Sequence, residues 1–420
     1  MNELTQKTAM HIIERVGGPG VPPEYGFQFF TAGVDPYLSI IEKDYLSSFI
    51  KQGGSSFKMV VGIYGGGKTH FLYCIRDLAW NYNFVVSYVR LSPNESPFHR
   101  LELVYNAIMR GITPPLTPQE LLSGYDRGIT SFIRSWYSEK FQEISRGGFQ
   151  GASLNDEVRN EILRIDGIEN ISFSKAIKRA FESLLNKEEE DFNTICQWLS
   201  GEGLDPRIRK QFGILQKIDK TTAFSMIRSL IQCVRQIGYS GLVLLLDEAE
   251  QHSSLSTKQR AQQLNNLREI IDETGQTNIQ GIMIFYAVPD ENFLEGKAQI
   301  YEALKQRLQT VFNENLNPSG VKIELEKMVQ DRLNFLIEVG ERLSQVYEIA
   351  YSHKFKKSPL EKTIRTIADA AIEKRFFEIG YKRLFVQMII RGFHFLSQKG
   401  KPPEKQDITG IAKKVTAGVT

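Results

Sequence analysis

Cysteine is scarce. The 420 residues hold three, Cys74, Cys196 and Cys233, each far from the others. Thiols so placed offer neither a disulfide framework nor a Cys-x-x-Cys metal pair, and they predict buried, reduced side chains of a cytoplasmic protein. Long apolar runs are lacking too: the longest strongly apolar stretch, GLVLLL at 241–246, is far short of the ~20 residues a membrane span needs. The opening MNELTQKTAM has no basic region followed by an apolar run, so no signal peptide is expected. No repeat of ~20–50 residues is visible, which excludes a solenoid or a propeller. Nor is there an overall excess of one charge: 52 Lys and Arg stand against 49 Asp and Glu, a net +3 that argues no nucleic-acid binding by itself. What remains, 41% hydrophobic and 24% charged residues, is the balance of a globular chain with a sizeable core, and not of a disordered tail, a collagen or a small disulfide scaffold.

The charge is unevenly spread. Residues 321–420 carry 19 Lys and Arg against 12 Asp and Glu, a surplus of +7, which leaves −4 for residues 1–320. A basic C-terminal segment on a mildly acidic body reads either as a phosphate-facing surface or as solvated helix faces.

The glycine- and proline-rich GGPGVPPE (17–24) is a loop, and YLSIIEKDYLSSFI (37–50) has the apolar spacing of a helix. KMVVGIY (58–64) reads as a buried strand, a helix follows over 68–80, and FVVSYVRL (84–91) is a second strand. Strand, glycine loop, helix and strand make a βαβ unit, hence a parallel sheet. From 114 to 238 helical periodicity dominates. The charge run 187–191 reads as a solvated helix face, and Phe224, Ile227, Leu230, Ile231 and Val234 line one stripe of a helix that leads into GLVLLLD (241–247). That uniformly apolar run is typical of a central parallel strand. A polar helix over 257–274 and a buried strand over 279–288 come next. Beyond Pro318 the chain is expected to be helical to about Gln398, with the last twenty residues a loose tail.

The strongest local signal is Gly62-Ile63-Tyr64-Gly65-Gly66-Gly67-Lys68-Thr69, which fits GxxxxGK[ST] and lies between a strand and a helix. Glycines let the backbone curl so that its N–H groups meet phosphate oxygens, and the helix N-terminus adds its dipole. Lys68 would neutralise the β- and γ-phosphates, and the Thr69 hydroxyl would ligate Mg²⁺. Gly65, Gly66 and Gly67 form the cradle, and the backbone N–H of His70 could meet the α-phosphate. The second signal, Val243 to Leu246 followed by Asp247-Glu248, places two carboxylates at the C-terminal end of a strand, where open parallel sheets bind ligands. Asp247 would hold the Mg²⁺ and Glu248 would orient the attacking water; the neighbouring Glu250 reads as structural. Weaker candidates have two readings each. Asp290 follows a strand as either a polar group near the γ-phosphate or a helix N-cap. Arg307 is either a finger for a neighbouring subunit or half of a salt bridge, and Arg383 either a phosphate contact or a surface residue. The basic stretch 207–210, with Lys217 and Lys220, lacks interleaved aromatics and reads first as solvated surface.

Lys68 and Asp247 lie 179 positions apart, which implies a mostly helical insertion of about a hundred residues within the nucleotide-binding core. The organisation expected is therefore an N-terminal loop and helix over 1–50, a P-loop half over 51–113, an insertion over 114–215, a second half over 216–320 and a helical lid and tail over 321–420. This is the arrangement of AAA+-type P-loop NTPases: α/β, with a parallel central sheet, a large helical insertion and a C-terminal helical lid.

Several stretches beyond the two nucleotide motifs, namely HIIERVGGPGVPPEYGFQFFTAG (11–33), GGSSFKMVVGIYGGGKTHFL (53–72), LSPNESPFHRLELVY (91–105), WLSGEG (198–203) and GYSGLVLLLDEAE (238–250), give the chain a resemblance. It resembles the ATP-binding proteins of BREX-type bacteriophage-resistance systems, nearest the shorter BrxD kind and not the much larger BrxC. The resemblance implies an AAA+-like ATPase with ATP and Mg²⁺ as cofactors, acting beside DNA-modifying or helicase partners. Lys68, Thr69, Asp247 and Glu248 match the pattern by position. Related proteins tend to carry a polar residue near the end of the 279–288 strand, where this chain has Ala287-Val288. Lys382-Arg383 stands where a Pro-Arg pair is common. Adenine is expected near the loop 19–27, with backbone contacts around Gly26 and Phe27. The leading expectation is an ATP hydrolase coupled to DNA or to a DNA-processing partner, an oligomer if Arg307 completes a neighbour's site. The alternative is a slow nucleotide-gated switch or scaffold that recruits a helicase or nuclease; a small-molecule kinase is the third.

Overall fold

The computed structural model describes residues 4–249, 255–276, 279–290, 299–312, 317–373 and 380–416. Six strands, β1 Ser55–Val61, β2 Val85–Arg90, β3 Ile112–Thr113, β4 Leu242–Asp247, β5 Ile282–Val288 and β6 Lys322–Glu324, form one sheet in the order β3-β2-β4-β5-β1-β6. All neighbours are parallel except β2 and β3. Strand β5 stands between β1 and β4, so the loop after β1 and the carboxylates after β4 open at the same sheet edge two strand spacings apart, about 10 Å.

Alternation along the strands builds a core on each face. Met59, Leu244, Ile284 and Tyr286 point to one side, where the helices between β2 and β4 pack on them through Ile133, Phe173 and Leu230. Val60, Val243, Leu245 and Phe285 point to the other, against the helix Lys68–Asn81 and the helical stretch 35–49. The insertion therefore shares one core with the sheet. A third core gathers the N-terminal helix Gln6–Gly17 and the helices Arg332–Tyr351, Lys357–Glu373, Tyr381–Lys399 and Lys405–Thr416. Residues 1–50 are thus divided: the first helix belongs to the C-terminal core and the stretch 35–49 to the sheet.

Two expectations at the C-terminal end need correction. Before the helices begin, 322–324 add β6 to the edge of the sheet, pairing Met59 with Lys322 through Val61 with Glu324. Within the expected tail, Lys405–Thr416 is helical because Ile408, Ala412 and Val415, spaced four and three apart, bury one stripe on the third core. The P-loop strand also starts and stops earlier than expected, at Ser55 and Val61, leaving Ile63 and Tyr64 exposed in the loop that follows.

One charge lies inside the sheet. Lys58, in mid-β1, is 1% exposed and donates to Tyr45 Oη at 2.8 Å, Pro318 O at 2.8 Å and Gly320 O at 2.7 Å, tying the turn before β6 to the sheet. Burial lowers its pKa to about 7. The three cysteines are buried and unpaired, and burial raises each thiol to about 12, as expected of inert core thiols. Among the described residues no helix is long and apolar enough to cross a membrane.

Candidate functional site

The site begins where β1 ends. Gly62 N–H continues the ladder to Val288 O at 3.0 Å, the chain then turns, and the helix Lys68–Asn81 starts. Gly65 and Gly67 take φ of +73° and +100°, a region that costs an L-residue about 1–2 kcal/mol. Lys68 Nζ donates to Gly62 O at 2.8 Å, folded back over the loop that it closes.

Thr69, on the first turn, reaches across to β4: its Oγ1 donates to Asp247 Oδ2 at 2.7 Å. Tyr88 on β2 donates to the same oxygen at 2.6 Å, and Glu248 N–H donates to Asp247 Oδ1 at 2.9 Å. Asp247 is 1% exposed, so these donors replace the water its carboxylate gives up. Burial, and then the adjoining Asp247, push the Tyr88 phenol well above its ordinary pKa, leaving it a hydrogen-bond donor. Glu248 sits at φ +58°, a strained conformation for a residue with a side chain. Its Oε1 lies 3.3 Å from Arg90 Nε. Burial raises the Glu248 pKa, Arg90 pulls it down and Asp247 raises it further; the net direction is upward.

Gly65, Gly67, Lys68, Thr69, Arg90, Asp247 and Glu248 line a cavity of about 460 Å³, within the range of small-molecule sites. Its lining also includes the apolar Phe30, Val34, Met328, Phe335, Leu336, Val339 and Phe385, and the strap Pro19–Pro22. Helix Tyr381–Lys399 closes the side: Gly380 N–H donates to Tyr64 O at 2.8 Å, and Lys382 Nζ to Gly66 O at 3.0 Å and Leu325 O at 3.2 Å. Burial lowers the Lys382 pKa, against the pull of Glu326.

Of the residues singled out by sequence, Gly65, Gly66, Gly67, Lys68, Thr69, His70, Asp247, Glu248 and Arg383 all line this cavity. Arg383 is held, its guanidinium donating to Pro19 O and lying 5.0 Å over the Tyr64 ring, so it fastens the strap to the loop. The His70 ring is engaged elsewhere. Thr31 Oγ1 uses its one hydrogen on Phe27 O at 2.9 Å, so His70 Nε2, at 2.8 Å, is the donor to Thr31. The ring, packed between Phe27 and Phe30, is held neutral, its pKa lowered to about 4 by burial and then by Lys382.

Arg307 and Asp290 do not line the cavity. Arg307 makes a two-pronged pair with Asp272, at 2.5 and 2.9 Å, and Asp290 lies exposed just past β5. Residues 291–298, which bear on its N-cap reading, and Glu250 lie outside the described residues. The strap meets the cavity at 19–22; Gly26 and Phe27 do not line it, because Phe27 is buried beneath His70.

Sequence reasoning missed Tyr88, Arg90, Lys382 and Glu326. The first two were readable, since alternate residues at the end of a strand beside β4 must face its carboxylates. Lys382 and Glu326 are brought to the loop by tertiary packing alone.

The family model of the BREX system ATP-binding protein BrxC/D matches residues 4–402. The chain belongs to that family. Its membership makes it a BREX system ATP-binding protein. Comparison with curated proteins and with solved structures gave no match. No cluster of three or more His, Cys, Asp or Glu forms a metal site among the described residues of this BrxC/D-family chain. The Thr69–Asp247 pair nonetheless fits Mg²⁺, which takes hard oxygens and binds through one or two carboxylates plus substrate phosphates.

Proposed function

We propose that this chain hydrolyses ATP as an AAA+-type P-loop protein, with its C-terminal helices as the lid, and couples the ATP cycle to DNA or to a DNA-processing partner such as a helicase in defence against phage. The observation that carries this reading is the Thr69–Asp247 hydrogen bond of 2.7 Å, with Glu248 next in sequence and lining the same cavity. Thr69 and Asp247 would hold Mg²⁺, which when bound neutralises phosphate charge. The glycine loop's N–H groups and Lys68 would cradle the phosphates, Lys68 turning from Gly62 O toward them. Glu248 would orient a water in line with the γ-phosphate and take its proton. A carboxylate whose pKa is raised is the better base for that step. The apolar side chains of the lining would take the base. The basic C-terminal segment is the surface offered to DNA. In a homo-oligomer, Arg307 would have to leave Asp272 to serve a neighbour's site.

The Arg90–Glu248 pair favours a second reading, a slow nucleotide-gated switch, since it holds the Glu248 carboxylate on a partner other than water. Steady-state ATP hydrolysis, alone and with single- or double-stranded DNA, separates the two. For a hydrolase, DNA stimulates turnover, Glu248→Gln abolishes turnover while binding ATP, and Lys68→Ala loses binding. Unchanged turnover in Glu248→Gln refutes the mechanism. Tight ATP binding with turnover in the ~10⁻⁴–10⁻² s⁻¹ range of unassisted P-loop switches selects the second reading.

A further inference from the structure

Helix Tyr381–Lys399 brings an unassigned charge pair to the glycine loop. Two of the three Lys382 ammonium donors are taken by Gly66 O and Leu325 O. The next acceptor is Glu326 Oε1, at 3.9 Å, near enough to attract and too far to hydrogen-bond. This carboxylate oxygen is itself buried without a hydrogen-bond partner, and it lies so close to the loop that a Cβ on Gly66 would stand 2.8 Å from it. A carboxylate there repels any phosphate entering the loop, and a buried oxygen left unpaired is unfavourable in its own right. Both penalties are relieved in part by one group, the Lys382 ammonium, which also lines the cavity.

Resting on the nucleotide reading above, we propose that Lys382 is a phosphate-contacting residue of this site, and that Glu326 is the counter-ion it exchanges for the terminal phosphates. The ammonium keeps its grip on the Gly66 and Leu325 carbonyls and turns its remaining donor from Glu326 to phosphate, a shorter, charge-assisted hydrogen bond. Binding then depends on how many phosphates the ligand carries, because a monophosphate does not extend to the group that competes with Glu326. Arg383 is not the residue for this role, since its guanidinium is engaged by Pro19 O.

The test is titration of the full chain with Mg·ATP, Mg·ADP and AMP, in the wild type and in Lys382→Ala, Glu326→Gln and Lys68→Ala. Lys382→Ala is expected to weaken ATP and ADP about tenfold, the factor that corresponds to one modest charge-assisted contact, and AMP less than about twofold. Glu326→Gln, nearly isosteric, is expected to tighten ATP about threefold or more and AMP hardly at all. Should Lys382→Ala fail to fold, the ATP-to-AMP ratio of Glu326→Gln decides alone. A wild-type chain that takes up no nucleotide, or binds it equally well with Lys68→Ala, overturns the nucleotide reading and this inference with it. Binding that needs Lys68, with an ATP-to-AMP ratio unmoved by Lys382→Ala and Glu326→Gln, overturns the inference and leaves the nucleotide reading standing.

Discussion

Gly380 decides how closely the C-terminal helices meet the glycine loop, and replacing it by alanine tests whether that contact matters to nucleotide binding. Its φ of −57° and ψ of 138° suit alanine, so no backbone strain complicates the change. The difficulty is space: an added Cβ would stand 2.7 Å from Tyr64 O, 2.8 Å from Gly65 C and 2.9 Å from Gly65 O. These are backbone atoms of a constrained loop and cannot swing aside. Restoring ordinary contact, ~3.5 Å, moves the helix start off the loop by ~0.7 Å. The Gly380–Tyr64 hydrogen bond of 2.8 Å then stretches beyond use and the Lys382–Gly66 bond of 3.0 Å loosens. A neutral hydrogen bond is worth about 1 kcal/mol and one from a charged donor about 1.5–3 kcal/mol, so the docked arrangement loses about 2–3 kcal/mol once partial relaxation is allowed. If ATP binds the docked form, its apparent Kd rises by up to roughly 30- to 140-fold, the limit reached when docking is closely balanced in the wild type. Calorimetric titration of Mg·ATP into Gly380→Ala measures this, and hydrogen exchange over 381–386 reports whether the helix start has loosened. Affinity within about threefold of the wild type, together with faster exchange in that segment, refutes the reasoning, for it means that the contact can be broken without consequence for the nucleotide.

Two further outcomes concern pH. If Glu248 is the base of an ATP hydrolysis, Arg90→Ala removes the group that lowers its pKa, and the acidic limb of the hydrolysis profile moves to higher pH. Both side chains are 40% exposed or more, so solvent screening keeps the shift small; it is read from kcat between pH 5 and 8, and a move to lower pH contradicts the assignment. Lys58 gives a stability test. Its pKa falls from 10.5 unfolded to about 7 folded, so between those values the unfolded chain binds the extra proton. Stability contributed by this group rises with pH across that window, by at most ~1.4 kcal/mol per unit. Urea unfolding at pH 7 and pH 9 should show a smaller rise in Lys58→Met than in the wild type, and equal slopes sink the account.

Much of the site was legible because its signals are local. The glycine run from Gly65 to Gly67 with Lys68-Thr69, and the carboxylates after Leu246, fall at strand ends that periodicity locates. The apolar β4 could be read as a central strand and β5 as a buried one for the same reason. What escaped depends on distant packing. Strand β6 is three residues long and has no period of its own; it exists because β1 offers an edge. Lys382 stands in the sequence only as the neighbour of Arg383, and the fold alone brings its ammonium to Gly66 O, 316 positions away. The final helix was hidden for another reason: Pro402 and Pro403 and the lysines of 401–414 suggest an exposed tail, yet the stripe Ile408, Ala412 and Val415 was present to be counted. The strained backbone of Glu248 leaves no trace in a sequence at all.

The strand order carries a consequence for how the chain is made. Strand β1 pairs with β5, beginning with Ser55 beside Ile282, so the first strand leaves the ribosome 227 residues before its partner. At ~5–20 residues per second that is roughly 10–45 s during which Ser55–Val61 has no partner on that side. An unpaired apolar strand invites pairing with other chains, and a charge in its middle discourages such contacts. Lys58 occupies that middle. The lysine that the finished sheet must bury, satisfied by Tyr45, Pro318 and Gly320, is while the chain is still growing a guard against aggregation, and its last two acceptors arrive only after β5 has been made.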